Sequence, residues 1–135
     1  MSGRRHLLLL AAAVTDSTFV RTQLVGHPMW VGKCIHCGSK LVVGDDGRAR
    51  GEATLEHLWP QTQGGTDELS NLAVACARCN REKGKRHDPN GGARLQDVVA
   101  FLRARRLERW RDPSEVGMAV RLRSVMAPGE PATDD

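Results

Sequence analysis

The alternation of apolar and polar residues predicts two short β-strands in the middle of the chain. Residues 53–58 read Ala-Thr-Leu-Glu-His-Leu, and Pro60 ends this strand because proline has no amide hydrogen to give to a sheet. A second strand is expected over 73–75, after a polar loop. A short basic helix should follow, from about residue 79 to about residue 84. The central segment is therefore predicted to run strand, loop, strand, helix.

The N-terminal region contains an apolar run from Leu7 to Val14, which follows Arg4 and Arg5. We expect this run to form a buried helix or strand that packs on the core. A basic start followed by an apolar run also resembles a signal peptide, but eight residues are few for one and no clear cleavage pattern follows. No run is long enough to span a bilayer.

The C-terminal region has apolar residues at helical spacing between Leu95 and Leu102, and a second helix is expected to begin at Asp112. A turn or linker over 87–92 should separate this region from the core. At 135 residues the chain can form one domain with a modest core. We divide it into an apolar N-terminal leader (1–33), a core (34–87), a basic helical extension (93–127) and a disordered tail (128–135).

All four cysteines lie in two C-x-x-C pairs, Cys34 with Cys37 and Cys76 with Cys79. Two such pairs most often bind one structural Zn²⁺ through four thiolates, and metal binding then stabilises a small fold directly. Disulfides are one alternative. Thiol–disulfide chemistry is another, although no thioredoxin-like pattern surrounds the pairs. Zinc-bound thiols favour a reducing compartment, so we expect a cytoplasmic protein.

Net charge and aromatic content limit the possible modes of nucleic-acid binding. The formal net charge is +4, and the chain has three Trp, two Phe and no Tyr. Because so few aromatic rings are present to stack on bases, any contact with nucleic acid should depend mainly on backbone phosphates. A cluster of five basic residues within nine positions, in and on both sides of the predicted helix, is the expected site of this contact: Arg78, Arg81, Lys83, Lys85 and Arg86. The arginines between residues 103 and 111 either extend the contact or only keep a helix soluble.

Polar residues between and beside the cysteine pairs complete a recognisable motif. Its parts, in order, are Glu56-His57, Pro60, Gly64-Gly65, Asn71-Leu72 and the sequence C-x-x-C-N-x-x-K from Cys76 to Lys83. In this order the residues resemble those of the HNH endonucleases, also called ββα-metal nucleases, over 34–86. The resemblance implies an α+β fold with a small zinc-stapled ββα-metal core, here with flanking helices.

The resemblance also implies roles for the polar residues of the motif. His57 is the expected general base, a task suited to a side chain that exchanges protons near neutral pH. Glu56 and Asn80 are the expected ligands of a catalytic Mg²⁺ or Mn²⁺, which prefers oxygen donors. Asn71 is expected to fix the loop and orient the base. One departure is that the acid is Glu rather than the commoner Asp.

We therefore predict a metal-dependent endonuclease that hydrolyses DNA phosphodiester bonds. The alternative is a non-catalytic zinc module that binds nucleic acid or a protein partner. One further histidine, His36, lies inside the first cysteine pair. Four cysteines already complete a tetrahedral zinc shell, so we expect His36 to be exposed.

Overall fold

The computed structural model describes residues 3–86 and 93–126, and the side chains of 84–86 and 93 are not included. The predicted linker over 87–92 and the predicted tail over 128–135 lie outside the described residues. The helices and strands in chain order are α1 (Gly3–Val14), β1 (Val20–Leu24), β2 (His27–Lys33), β3 (Lys40–Gly44), β4 (Ala49–Arg50), β5 (Ala53–His57), β6 (Leu72–Cys76), α2 (Ala77–Arg86) and α3 (Ala93–Arg109).

The strands of the described residues form two antiparallel sheets. One has the order β1-β2-β3-β4, and the other is the hairpin of β5 and β6. In this hairpin Glu56 pairs with Ala73 and His57 with Leu72, and α2 follows β6 without a break. The predicted α+β fold, with strand, loop, strand and helix in the central segment, is confirmed.

The predicted short helix is longer than expected at both ends. It begins at Ala77 and continues past Gly84 to Arg86. The early start follows from the second cysteine pair, because the amide of Cys79 points at the sulfur of Cys76 at 3.4 Å. Glycine costs a helix only about 1 kcal/mol relative to alanine, so Gly84 does not end it.

The apolar N-terminal run forms the buried part of α1. Residues 8–14 are all buried, and the helix packs on β3, β5 and β6. The small side chains of Ala11, Ala12 and Ala13 let the sheets approach the helix closely, and all three are fully buried. Among the helices of the described residues, none has the length and apolar character needed to cross a membrane.

Arginines of α3 and just beyond it donate to backbone carbonyl groups of neighbouring segments. Arg106 is only 2% exposed and donates to the carbonyl oxygens of Thr15, Leu69 and Leu72. Arg105 donates to the carbonyls of residues 35 and 36. Arg109 and Arg111 make similar bonds to residues 33–34 and to residues 14 and 19. The sequence suggested that these arginines contact DNA or only keep a helix soluble. Neither expectation included the role seen here, which is to bind α3 to the backbone of neighbouring segments.

The described segment after α3 forms two short 3₁₀ turns, Pro113–Val116 and Arg123–Val125, instead of the expected second helix. Asp112 and Glu115 form a capping box at the start of the first turn, so the predicted start is correct. Gly117 ends the turn in a left-handed conformation, with φ of 72°. The first turn therefore stops after four residues and does not extend into the helix that the sequence suggested.

Candidate metal centre and nuclease site

The four cysteine sulfurs lie within 4.8 Å of one another. The first pair, Cys34 and Cys37, lies in the turn between β2 and β3, whereas Cys76 ends β6 and Cys79 lies in the first turn of α2. All four are free thiols. An ion bound here would join the four-stranded sheet to the hairpin and to α2.

The chemistry of this cluster fits zinc. Sulfurs on one zinc ion, with bonds of about 2.3 Å in a tetrahedron, lie about 3.8 Å apart. Burial raises the pKa of Cys34 and raises that of Cys79 to about 12, whereas a hydrogen bond with Ser39 lowers the pKa of Cys37 to about 6. Neighbouring buried thiolates therefore need a cation to be stable. The four cysteines are positioned to form a zinc site.

His57, at the end of β5, is paired with an aspartate that the motif did not single out. Its Nε2 lies 2.8 Å from Oδ1 of Asp67, in the loop between β5 and β6. The second oxygen of Asp67 lies 3.9 Å from a guanidinium nitrogen of Arg4 in α1. Nδ1 of the His57 ring makes no hydrogen bond to any described residue. If Nε2 donates its hydrogen to Asp67, Nδ1 carries the lone pair that accepts a proton.

Asn71 is buried and holds together both ends of the loop that follows His57. Its Oδ1 accepts a hydrogen bond from the amide of Trp59 at 2.8 Å, and its Nδ2 donates to the carbonyls of Trp59 and Thr66. Its own carbonyl accepts from the amide of Leu58. In the described part of the chain, Asn71 makes no hydrogen bond to the His57 ring. Any effect on the ring therefore passes through the backbone of this loop.

Glu56 points to the opposite face of β5 from His57 and is fully buried. Its Oε1 lies 2.6 Å from Nε2 of His36, so the expectation that His36 is exposed is wrong. Its Oε2 lies 2.9 Å from the ammonium of Lys83, an ion pair without hydrogen-bond geometry. Glu56 thus links the first cysteine pair, β5 and α2 in one polar contact.

Lys83 is directed into the protein rather than towards solvent. Its ammonium donates to the carbonyls of His57 at 2.7 Å and Leu58 at 2.8 Å, in addition to its ion pair with Glu56. These contacts differ from the expectation that Lys83 contacts phosphate. Arg78 and Arg81 of the same helix are exposed, as that expectation requires. The side chains of Lys85 and Arg86 lie outside the described residues.

Asn80 packs on the same face of β5 as Glu56. Its Nδ2 donates to Oγ1 of Thr54 at 3.1 Å and to the carbonyl of Leu55 at 3.3 Å. Its Oδ1 makes no hydrogen bond within the described residues. A carboxylate and an amide oxygen are donors that Mg²⁺ or Mn²⁺ accepts. A divalent ion at Glu56 would replace the His36 contact or the Lys83 ammonium.

A comparison with protein families identifies this part of the chain. The family model described as HNH endonuclease matches residues 34–86, from the first cysteine pair to the end of α2. These residues form an HNH endonuclease domain. The resemblance drawn from the motif is thereby confirmed. No curated protein and no solved structure matches the chain.

The HNH domain indicates a nuclease-type or nucleic-acid-binding function. Two side chains at its site, Asp67 and His36, have no signal in the motif because their partners are distant in sequence. Asp67 lies ten residues from His57, and His36 lies twenty from Glu56. The position of His36 inside the first cysteine pair led only to the expectation of an exposed side chain.

Proposed function

We propose that the HNH domain of this protein is a metal-dependent endonuclease that hydrolyses DNA phosphodiester bonds, with His57 as the general base. The observation that carries the proposal is the 2.8 Å contact between Nε2 of His57 and Asp67. Asp67 is a positioning residue in this scheme, since it holds the ring and its tautomer without touching substrate. The Asp67 carboxylate is about one-third exposed, whereas the His57 ring is nearly buried. Solvent therefore reaches this pair from the Asp67 side.

His57 acts as the general base through Nδ1. This nitrogen takes a proton from a water molecule, and the resulting hydroxide attacks the phosphorus atom. The bond between phosphorus and the 3′ oxygen breaks, and the leaving oxygen takes a proton from solvent. The products carry a 5′-phosphate and a 3′-hydroxyl, as the family resemblance implies. Asn71 keeps the loop after His57 in place during this step, through its bonds to Trp59 and Thr66.

Glu56 and Asn80 are the residues that would hold a catalytic Mg²⁺ or Mn²⁺, whose charge would stabilise the scissile phosphate and the leaving oxygen. Because these two side chains lie on the face of β5 opposite to the His57 ring, the proposal requires the phosphate to lie at the end of β5, between the ion and the ring. Arg78 and Arg81, exposed on α2, would contact backbone phosphates of the DNA. The thiols of the metal centre suit a reducing, cytoplasmic setting.

A second candidate function is a zinc-stabilised module that binds nucleic acid without cutting it. One observation favours it: the ammonium of Lys83 lies on the carboxylate of Glu56, where the catalytic cation would be held. In such a module the ammonium of Lys83 would stay paired with Glu56, and no Mg²⁺ or Mn²⁺ would bind there. Cleavage assays separate the two functions.

The test uses zinc-loaded full-length protein and supercoiled plasmid, with Mg²⁺ or Mn²⁺ added or omitted. Omission is better than chelation, because a chelator would also remove zinc from the cysteines. We expect nicking that needs the added ion and falls at least about 100-fold in His57→Ala, the lower range for a general base. The matched control is His27→Ala, since His27 is exposed in β2, far from the HNH motif in sequence. The proposal fails if no ion supports nicking, or if His57→Ala cuts as fast as His27→Ala.

A further inference from the structure

A groove beside β5 has a basic rim that neither the motif nor the family match assigns to any task. Its volume is about 580 Å³, and it lies between the first turns of α1 and strand β4. Residues 53–55 of β5 form one wall. Arg5 and His6 of α1 line one side, and Arg48 and Arg50 line the other.

The charge on the rim is predominantly positive. Arg48 and Arg50 are 66% and 40% exposed, and both approach the single carboxylate of Asp46, at 3.7 Å and 3.4 Å. One carboxylate cannot neutralise two guanidinium groups, so positive charge remains on this side of the groove. Arg5 lines the opposite side. Exposed guanidinium groups are suited to phosphate oxygens, because their planar array of donors matches the anion.

The groove leads towards the candidate nuclease site. β5 continues from the wall at Leu55 to His57, a distance of about 7 Å at the usual rise of a strand. Arg4 precedes Arg5 in α1, and its guanidinium nitrogen lies 3.9 Å from a carboxylate oxygen of Asp67. The other oxygen of Asp67 contacts the His57 ring. Basic side chains of α1 therefore extend from the groove to the immediate surroundings of His57.

We propose that this groove binds the phosphate backbone of the DNA strand that His57 cuts. The inference rests on the proposed function for the identity of the ligand. Arg5 and His6 lie outside residues 34–86, so α1 supplies part of the binding surface from beyond the HNH domain. Contacts of this kind read no bases, and the groove binds duplexes of different sequence alike.

The test measures binding of a fluorescent 20-base-pair duplex by anisotropy, with every variant made in the His57→Ala background so that no DNA is cut. We expect Arg5→Ala combined with Arg48→Ala to raise Kd about 10-fold or more. The slope of log K against log salt should fall by about 2, because each arginine removed leaves roughly one phosphate without its cation. Arg123→Ala, an exposed arginine on another segment, is the matched control and should leave Kd unchanged.

Thermal melting shows whether each variant is folded, and Arg48→Gln alone replaces the double variant if Arg5→Ala lowers the melting temperature. A Kd equal to that of the Arg123→Ala control overturns the inference. Loss of binding in Arg81→Ala but not in the groove variants also overturns it, because α2 would then be the DNA surface. Failure of the proposed function looks different: the native protein would bind duplex through the groove and cut nothing.

Discussion

The ammonium of Lys83 lies 2.9 Å from Oε2 of Glu56, and neither side chain is more than 6% exposed. This contact joins α2 to β5 in the interior of the HNH domain. It places a cation of the protein itself at the carboxylate for which the motif suggests a metal ion. The pair is therefore important for stability and decides how a divalent ion can reach Glu56.

Replacing Lys83 should destabilise the fold strongly. Lys83→Met leaves the carboxylate of Glu56 buried without its ammonium, and breaking such a pair costs about 3 to 5 kcal/mol. Chemical denaturation measures the loss. Adding Glu56→Gln removes the unpaired charge and should recover part of it. Arg81→Met, two residues away and exposed, is the control and should change stability by less than about 0.5 kcal/mol. Equal stabilities of the two single variants would contradict the prediction.

Replacing Asp67 should slow cleavage without weakening substrate binding. Asp67→Asn keeps the shape of the side chain but removes the charge that holds the His57 tautomer, so kcat should fall about 10- to 100-fold while KM changes little. Initial rates on plasmid DNA give both constants. Glu68→Gln, the neighbouring exposed acid, is the control.

A combined variant tests whether Asp67 acts through His57. Adding Asp67→Asn to His57→Ala should slow cleavage no further, because the ring that Asp67 positions is already absent. Asp67→Glu should restore part of the rate lost in Asp67→Asn. Independent losses that multiply in the combined variant would argue against the positioning role.

Removing the metal should unfold the chain. Elemental analysis is expected to return about one zinc ion per chain. A strong chelator should abolish the cooperative melting transition, because an ion held by the four cysteines would join the two sheets and α2. Adding Zn²⁺ back should restore the transition. Cys76→Ser should behave like the chelated protein. Melting that is the same with and without chelator would mean that the four thiols are not a structural site.

Arg106 should be among the arginines most important for stability. Arg106→Ala removes donors from three buried carbonyl groups and leaves a cavity between α3, β6 and the end of α1, with an expected loss of about 3 kcal/mol or more. Arg103→Ala removes an exposed arginine from the same helix and should cost less than about 0.5 kcal/mol. Urea denaturation of both variants makes the comparison. Similar losses would mean that the internal bonds contribute little.

Stability should fall in acid partly because of Asp45. Burial alone would raise the pKa of this carboxyl, but hydrogen bonds from Trp30 and Arg121 and the charge of Arg21 lower it below the ordinary 3.8. The unfolded chain therefore binds the proton more readily than the folded one. The resulting stability is present above about pH 4 and is lost as the pH falls through the lower pKa of the folded state.

Denaturation at two pH values tests this dependence. Asp45→Asn should be less stable than the native chain at pH 7, and the difference should shrink at pH 3. Asp97→Asn, at an exposed position of α3, serves as the control and should show little difference at either pH. A destabilisation by Asp45→Asn that is equal at both pH values would show that the charge of Asp45 is not responsible.

The local order of elements could be read from the chain because it depends on neighbouring residues. Alternation around Glu56, the proline that follows, and the apolar spacing from Leu95 each specify local structure. The roles of α3 arginines could not be predicted in this way. From the sequence, Arg106 is expected at the surface. The fold places it against carbonyl groups of Thr15, just after α1, and of Leu72 in the HNH domain.

The sequence by itself determined the α+β core and the four cysteines that can bind zinc, because spacing along the chain carries both signals. Tertiary structure alone decided the partners of the polar residues: Asp67 for His57, and His36 with Lys83 for Glu56. It also turned Lys83 inward, although its place in a basic cluster predicted an exposed cation. The physical reason is that a buried charge must be compensated by groups that lie close in space, and these come from distant parts of the chain.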